Sequence, residues 1–255
     1  MSFDTGLQKN IRSLLKDHWC EIPINASRRL RPPFPAPPLH LLFAQLSENL
    51  SKSRDILRSE ENWRFTPQYH LSEINKSSEK IIEKSFVQWL GETKAWANQV
   101  PTCSGYSDGD DGKRSLDLVQ NLGAGRFKFI ELKTVSNTPT YAAIEILLYG
   151  LTYLLARKHI VPRLTVVPSL LQAKEVKLVV LAPDGEFYAG YLEGALREFE
   201  RTLDLALRDF ALEECGVVMS FAFEILGPGF VETKLSYTSD EVRRMADGIA
   251  PLFPR

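Results

Sequence analysis

Apolar residues recur at helical spacing in three early stretches of the chain. Leu7, Ile11, Leu14 and Leu15 mark a helix over residues 5–19, and Leu39, Leu42, Phe43, Leu46 and Leu50 mark another over residues 39–60. Over residues 73–90, Ile74, Ile81, Ile82, Phe86, Trp89 and Leu90 share one broad face, and Gly91 follows as a stop. The pattern then changes. Residues 94–100 read as a strand and 105–112 as a polar loop. Residues 114–122 and 126–134 read as two strands around Gly123-Ala124-Gly125, which predicts a hairpin with a three-residue loop, a type I turn with a glycine bulge. Thr138 is placed to cap a helix with Pro139 in its first turn, running to about Lys158. The apolar run 176–181 reads as a buried strand, 192–212 as a helix, 217–225 as a strand and 239–249 as a closing helix. From residue 73 the order α, β, β, β, α, β, α, β predicts an α/β fold with a mixed sheet and flanking helices.

Composition adds limits. The 255 residues are 44% hydrophobic and 25% charged, ordinary for a soluble globular chain able to bury a sizeable core. Five prolines within residues 32–38, after Arg28, Arg29 and Arg31, exclude helix or central strand there. A stiff surface connector accounts for them better than an extended ligand for a partner. The expected organisation is a helical N-terminal extension over residues 1–70, available for a homodimer or a partner protein, and an α/β domain over 71–255. With 31 basic and 32 acidic residues, the net charge of −1 excludes a polybasic tail but allows a local basic groove. Cys20, Cys103 and Cys215 form no CxxC pair and argue for a reducing compartment. No charged start leads into an apolar signal run, and residues 141–156, which include Glu145, read as too short and too polar to span a bilayer. The expectation is a cytoplasmic protein with no membrane partner.

Several motifs fail on inspection. A phosphate-binding loop ending at Gly112-Lys113 needs Gly at 107 and Ser or Thr at 114, where the chain has Ser107 and Arg114. A calcium loop starting at Asp108 needs an acidic residue at 119, which is Val119. Gly123 and Gly125 lack the third glycine of a dinucleotide site. His18, His40, His70 and His159 form no zinc motif.

What remains is a set of charges inside apolar strands. Asp117 lies within Ser115-Leu116-Asp117-Leu118-Val119, and Glu131 and Lys133 lie within Phe129-Ile130-Glu131-Leu132-Lys133. Buried charges cost several kcal/mol unless paired or metal-bound. Glu-x-Lys itself recurs at Glu92/Lys94, Glu175/Lys177 and Glu232/Lys234, so the motif alone says little. Only Glu131 follows a strand that carries an Asp. With a three-residue turn, Leu122 faces Arg126, Gln120 faces Lys128, Leu118 faces Ile130 and Asp117 faces Glu131. Lys133 shares that face, being two residues beyond Glu131. Two carboxylates make a hard oxygen site for Mg²⁺, and Lys133 can orient or deprotonate a water or stabilise charge on a phosphate.

Asp117-x13-Glu131-x-Lys133 on a hairpin, between a preceding and a following helix, resembles the restriction-endonuclease-like PD-(D/E)xK nuclease superfamily over roughly residues 73–182. The resemblance implies an αβββαβ core with a mixed sheet and Mg²⁺-dependent cleavage of DNA phosphodiesters, with Mn²⁺ as a substitute and RNA as an alternative substrate. It implies that Asp117 and Glu131 are metal ligands and Lys133 the catalytic lysine. Leu116 stands where the family has proline. A further ligand on the preceding helix falls to Glu79 or Glu83, and helical geometry favours Glu79. An exonuclease-like Gln-x-x-x-Tyr motif is matched by Glu145 and Tyr149, with Glu in place of Gln, and these two are candidate substrate-binding residues with Arg114. Lys113, Arg126, Lys128, Arg157 and Lys158 flank the site in sequence, where backbone contacts to nucleic acid need cations; for Arg126 and Lys128 a solvated surface is the simpler reading. The alternative function is a catalytically inactive protein of this fold that binds nucleic acid or assembles with partners.

Overall fold

The hairpin over residues 115–132 supplies the second and third strands of a six-stranded mixed sheet in a computed structural model, which describes residues 5–18, 33–52, 60–69, 77–106, 114–134, 138–183, 186–189 and 193–254. Several expectations lie outside these residues: Arg28–Pro32 of the proline-rich stretch, residues 107–113 with Lys113, residues 53–59 of the second helix, and Ile74. The strands are β1 (Trp96–Pro101), β2 (Ser115–Gly123), β3 (Arg126–Leu132), β4 (Glu175–Ala182), β5 (Val218–Ile225) and β6 (Ala250–Pro251). They lie side by side in chain order. β1, β2 and β3 pair antiparallel, β3, β4 and β5 pair parallel, and β6 returns antiparallel. The helices are α1 (Ile11–His18), α2 (Leu39–Ser51), α3 (Ser78–Leu90), α4 (Pro139–Leu155), α5 (Glu186–Ala189), α6 (Glu193–Cys215) and α7 (Ser239–Asp247). The protein is therefore mixed α/β, as the pattern predicts; α5 and β6 are too short to leave a periodic signal.

The hairpin register agrees with expectation in the middle of the ladder and differs at both ends: the paired residues stop at Leu118↔Ile130, so the expected facing of Asp117 and Glu131 is not part of the ladder. Gln120 pairs with Lys128 and Leu118 with Ile130. At the tip, however, Gly123 rather than Leu122 faces Arg126. Gly123, Ala124 and Gly125 all take positive φ, and the ladder slips between Asn121 and Gly123. The turn proper is two residues long, and a bulge absorbs the extra one. Asn121 Oδ1 accepts from the Gly123 amide at 2.8 Å and stabilises the bulge.

A second irregularity lies beside the charged residues. The β1–β2 ladder runs through Asn98↔Leu118 and resumes at Val100↔Leu116, skipping Gln99 and Asp117. Gln99 has φ 48. On either side the alternation inverts: Leu118 packs in the smaller core cluster, whereas Leu116 and Val100 pack in the larger. A paired bend of this kind re-aims side chains out of the regular pleat.

The sheet has two unequal cores. β3, β4 and β5 send Phe127, Phe129, Leu178, Val180, Phe221 and Phe223 to the larger one, shared with α4 and α6, and Ile130, Leu132, Val179 and Leu181 to the smaller one, shared with α3 and α7. Gly150 lets α4 close on β4, since a Cβ there would meet Leu178 at 2.5 Å. The outer edge of β5 is capped by α6: Phe221 and Phe223 amides donate to Asp204 and Glu200 at 2.8 and 2.7 Å, blunting a strand edge that β6 covers only at its end.

The N-terminal segment is not a separate extension in its packing. Leu7, Ile11, Leu15, Leu39, Leu42, Phe43, Leu46 and Trp63 belong to the larger core, so these apolar side chains are covered within the chain. Phe34, in the proline-rich stretch, packs edge-on against Phe199 of α6. α4 begins as expected, with Thr138 Oγ1 accepting from Tyr141 N at 3.1 Å. It continues through a π turn to Ile160, giving 22 helical residues that are long and apolar enough to cross a membrane by length and composition. That corrects the expectation of a stretch too short and too polar; the helix is 94% buried over its most apolar window and serves as a core helix.

Candidate active site

Asp117, Glu131 and Lys133 meet where the hairpin leaves the sheet. β3 alternates so that Phe127 and Phe129 face α4, which places Glu131 on the same face. Beyond the strand's end, Lys133 is held by its amide, which donates to Leu181 O of β4 at 2.9 Å. Its Nζ lies 2.6 Å from Glu131 Oε1 and 2.9 Å from Glu145 Oε2 on α4. Asp117, released from the ladder by the bend, accepts from the Leu132 amide at 3.0 Å through Oδ2.

A second half of the cluster comes from α3. Glu83 is fully buried, and its carboxylate accepts from Lys80 Nζ at 2.8 and 3.1 Å and from Gln99 Nε2 at 2.5 Å. Lys80 Nζ also lies 3.6 Å from Asp117 Oδ1. The inverted backbone at Gln99 thus carries an amide onto Glu83, and Ser115 Oγ donates to Gln99 Oε1 at 3.2 Å. Two lysines therefore each bridge two carboxylates: Lys80 between Glu83 and Asp117, and Lys133 between Glu131 and Glu145.

Glu79, favoured on helical geometry, is not the glutamate on this inner face. α3 starts at Ser78, so Glu79 stands in its first turn and accepts from Thr134 N at 3.3 Å. Together with a 2.7 Å hydroxyl contact between Ser78 and Thr134, it docks the start of α3 on the end of β3. Glu83 is the glutamate placed beside Asp117. The signal that could have found it is Lys80-x-x-Glu83, an ion pair at helical spacing on a face that also carries Ile82 and Phe86.

Arg114 also has a different place from the one expected of a phosphate contact. It is 4% exposed, and its guanidinium donates to Gln8 Oε1 at 2.5 Å and to Thr5 O at 3.2 Å. It clamps the N-terminal segment to the start of β2. Tyr149 and Glu145 share the cluster's neighbourhood. Both are buried, and the Tyr149 hydroxyl is pushed up by burial and then by the Glu131 and Asp117 charges. Burial and then Glu145 push Tyr141 up to about 12. Lys128, read as surface, instead pairs with Glu224 at 2.8 Å; Lys177 shares that carboxylate at 2.6 Å.

The charges do not balance. Glu83, Asp117, Glu131 and Glu145, when ionised, face the ammonium groups of Lys80 and Lys133, which leaves negative charge in excess. Burial, then the Asp117 charge, drive Glu83 and Glu131 well above the usual carboxylate range. Burial alone would lower Lys133, but Glu131 and Glu145 overcome it and hold the ammonium firmly protonated. Lys133 is thus suited to stabilise negative charge and unsuited to take a proton from water.

The donors are hard carboxylate oxygens in electrostatic excess, which fits Mg²⁺ or Mn²⁺. As they stand the carboxylates are closed on lysines, and among the described residues no three His, Cys, Asp or Glu side chains are gathered closely enough to hold a metal ion. No family model, curated protein or solved structure shows significant similarity to this chain.

Proposed function

We propose that the protein is a metal-dependent nuclease that hydrolyses DNA phosphodiesters on a restriction-endonuclease-like αβββαβ core. The element order α3-β1-β2-β3-α4-β4, with an antiparallel triplet followed by a parallel strand, agrees with that reading. The observation that carries it is the meeting of Asp117, Glu131 and Lys133 at one end of the hairpin, with Lys133 bonded to Glu131 at 2.6 Å and Asp117 to the next amide at 3.0 Å. Asp117 and Glu131 would hold the ion, which when bound supplies Lewis acidity and an activated water. Lys133 offers a fixed positive charge to the phosphate as its charge develops. Tyr149 and Glu145 border the same space from α4 and are proposed to shape the substrate side.

A second reading has its own support. Both lysines already neutralise carboxylates, and such a closed network suits an inactive module that binds nucleic acid or assembles with partners. Incubation with linear, circular and single-stranded DNA and with RNA, in Mg²⁺, Mn²⁺ or EDTA, separates the two. Metal-dependent cleavage supports the nuclease; binding without cleavage in either ion supports the module.

A further inference from the structure

Lys80 reaches the cluster from α3 and stands outside the Asp/Glu/Lys pattern. Its two carboxylate contacts differ in kind. Toward Glu83 it makes hydrogen bonds of 2.8 and 3.1 Å to a side chain with 0% exposure. Toward Asp117 it makes only a looser ion contact of 3.6 Å. Asp117 is also the most open carboxylate of the cluster, at 18% side-chain exposure against 8% for Glu131 and 5% for Glu145. Lys133, by contrast, is gripped at 2.6 and 2.9 Å by two buried groups. A divalent ion entering from solvent therefore meets Asp117, and the ammonium least able to resist it there is that of Lys80.

We propose that Lys80 is the resident counter-ion of Asp117, displaced from it by the divalent cation, retained by Glu83, and left facing the nucleic-acid phosphate. The inference rests on the nuclease reading and adds a positioning residue to it. Glu83 is then the anchor of Lys80 rather than a metal ligand. The site explains how four carboxylates stay folded together without metal: one lysine is fixed and one is exchangeable.

Calorimetric titration of Mg²⁺ and Mn²⁺ into wild type, Lys80→Met and the double variant Lys80→Met/Glu83→Gln tests this. The double variant leaves no unpaired buried carboxylate at 83, so it remains informative if the single variant folds poorly. Removing a competing unit charge beside Asp117 should tighten ion binding by about tenfold in both variants. In DNA cleavage, Lys80→Met should raise KM more than it lowers kcat, and Lys80→Arg should restore KM. Ion affinity equal to or weaker than wild type in both variants overturns the displacement, and an unchanged KM overturns the phosphate contact. Wild type that binds neither ion removes the nuclease reading itself, which separates the two failures.

Discussion

The Leu132 amide donates to Asp117 Oδ2 at 3.0 Å, so the backbone that follows Glu131 is tied to the carboxylate on the neighbouring strand. Asp117 therefore has two parts to play: its acceptor oxygen holds the end of β3, while its charge raises Glu83 and Glu131. Asparagine separates them, because its carbonyl oxygen can still accept from Leu132 N. Asp117→Asn should match or exceed wild-type stability in EDTA, whereas Asp117→Ala, which leaves the amide without an acceptor, should cost ~1–2 kcal/mol. Urea melts of the three proteins check this. Asparagine as damaging as alanine would mean that the charge itself supports the fold.

Lys133 is buried between two carboxylates, so its loss is felt twice. Lys133→Ala leaves Glu131 and Glu145 without their cation and should cost ~3 kcal/mol. It should also lower cleavage by ~10²-fold or more, with DNA affinity largely kept. The melt and the binding isotherm, run beside the rate assay, separate lost chemistry from lost fold.

Glu83 titrates above its ordinary value of 4.5 in the folded protein because of burial and the Asp117 charge. The native state thus keeps a proton that the unfolded chain releases, and stability falls as pH rises from 4.5 toward the raised value. Glu83→Gln removes this slope. In EDTA the variant should gain on wild type as pH is raised from about 5 to about 8. Denaturant melts at several pH values read the difference; one that does not change with pH contradicts the assignment.

Arg114 sets a contrast with the residues of the site. Its guanidinium bonds Gln8 and Thr5, so Arg114→Ala should cost ~2 kcal/mol, raise hydrogen exchange at residues 6–9, and leave the salt dependence of DNA binding unaltered. A reduced salt slope would return Arg114 to the phosphate-contacting set.

Much of this architecture was legible in the chain because it is local. Thr138-Pro139 marks the start of α4, and the pairings of Gln120 with Lys128 and Leu118 with Ile130 follow from the glycine turn. A glycine bulge at this turn was legible, but its place between Asn121 and Gly123 was not, since a shift of one residue at the tip leaves the same register beyond it. Nor was the bend at Gln99, a non-glycine residue in a left-handed conformation whose side chain bonds Glu83 and Ser115. Glu83 was legible as one of two candidates on α3, but Lys80 was not: the two look like a surface helix pair until α3 docks on β1. Arg114 misled because an arginine beside a polar loop looks solvated, and its acceptors lie more than a hundred residues away in sequence.

Single-turnover cleavage of end-labelled double-stranded DNA, with wild type and Lys133→Ala compared in Mg²⁺ and in EDTA, decides whether the Asp117, Glu131 and Lys133 cluster is a nuclease site. A nuclease site gives cleavage by wild type in Mg²⁺, none in EDTA, and a loss of ~10²-fold or more in the variant. Equal rates for the two proteins, or cleavage that survives EDTA, would contradict it.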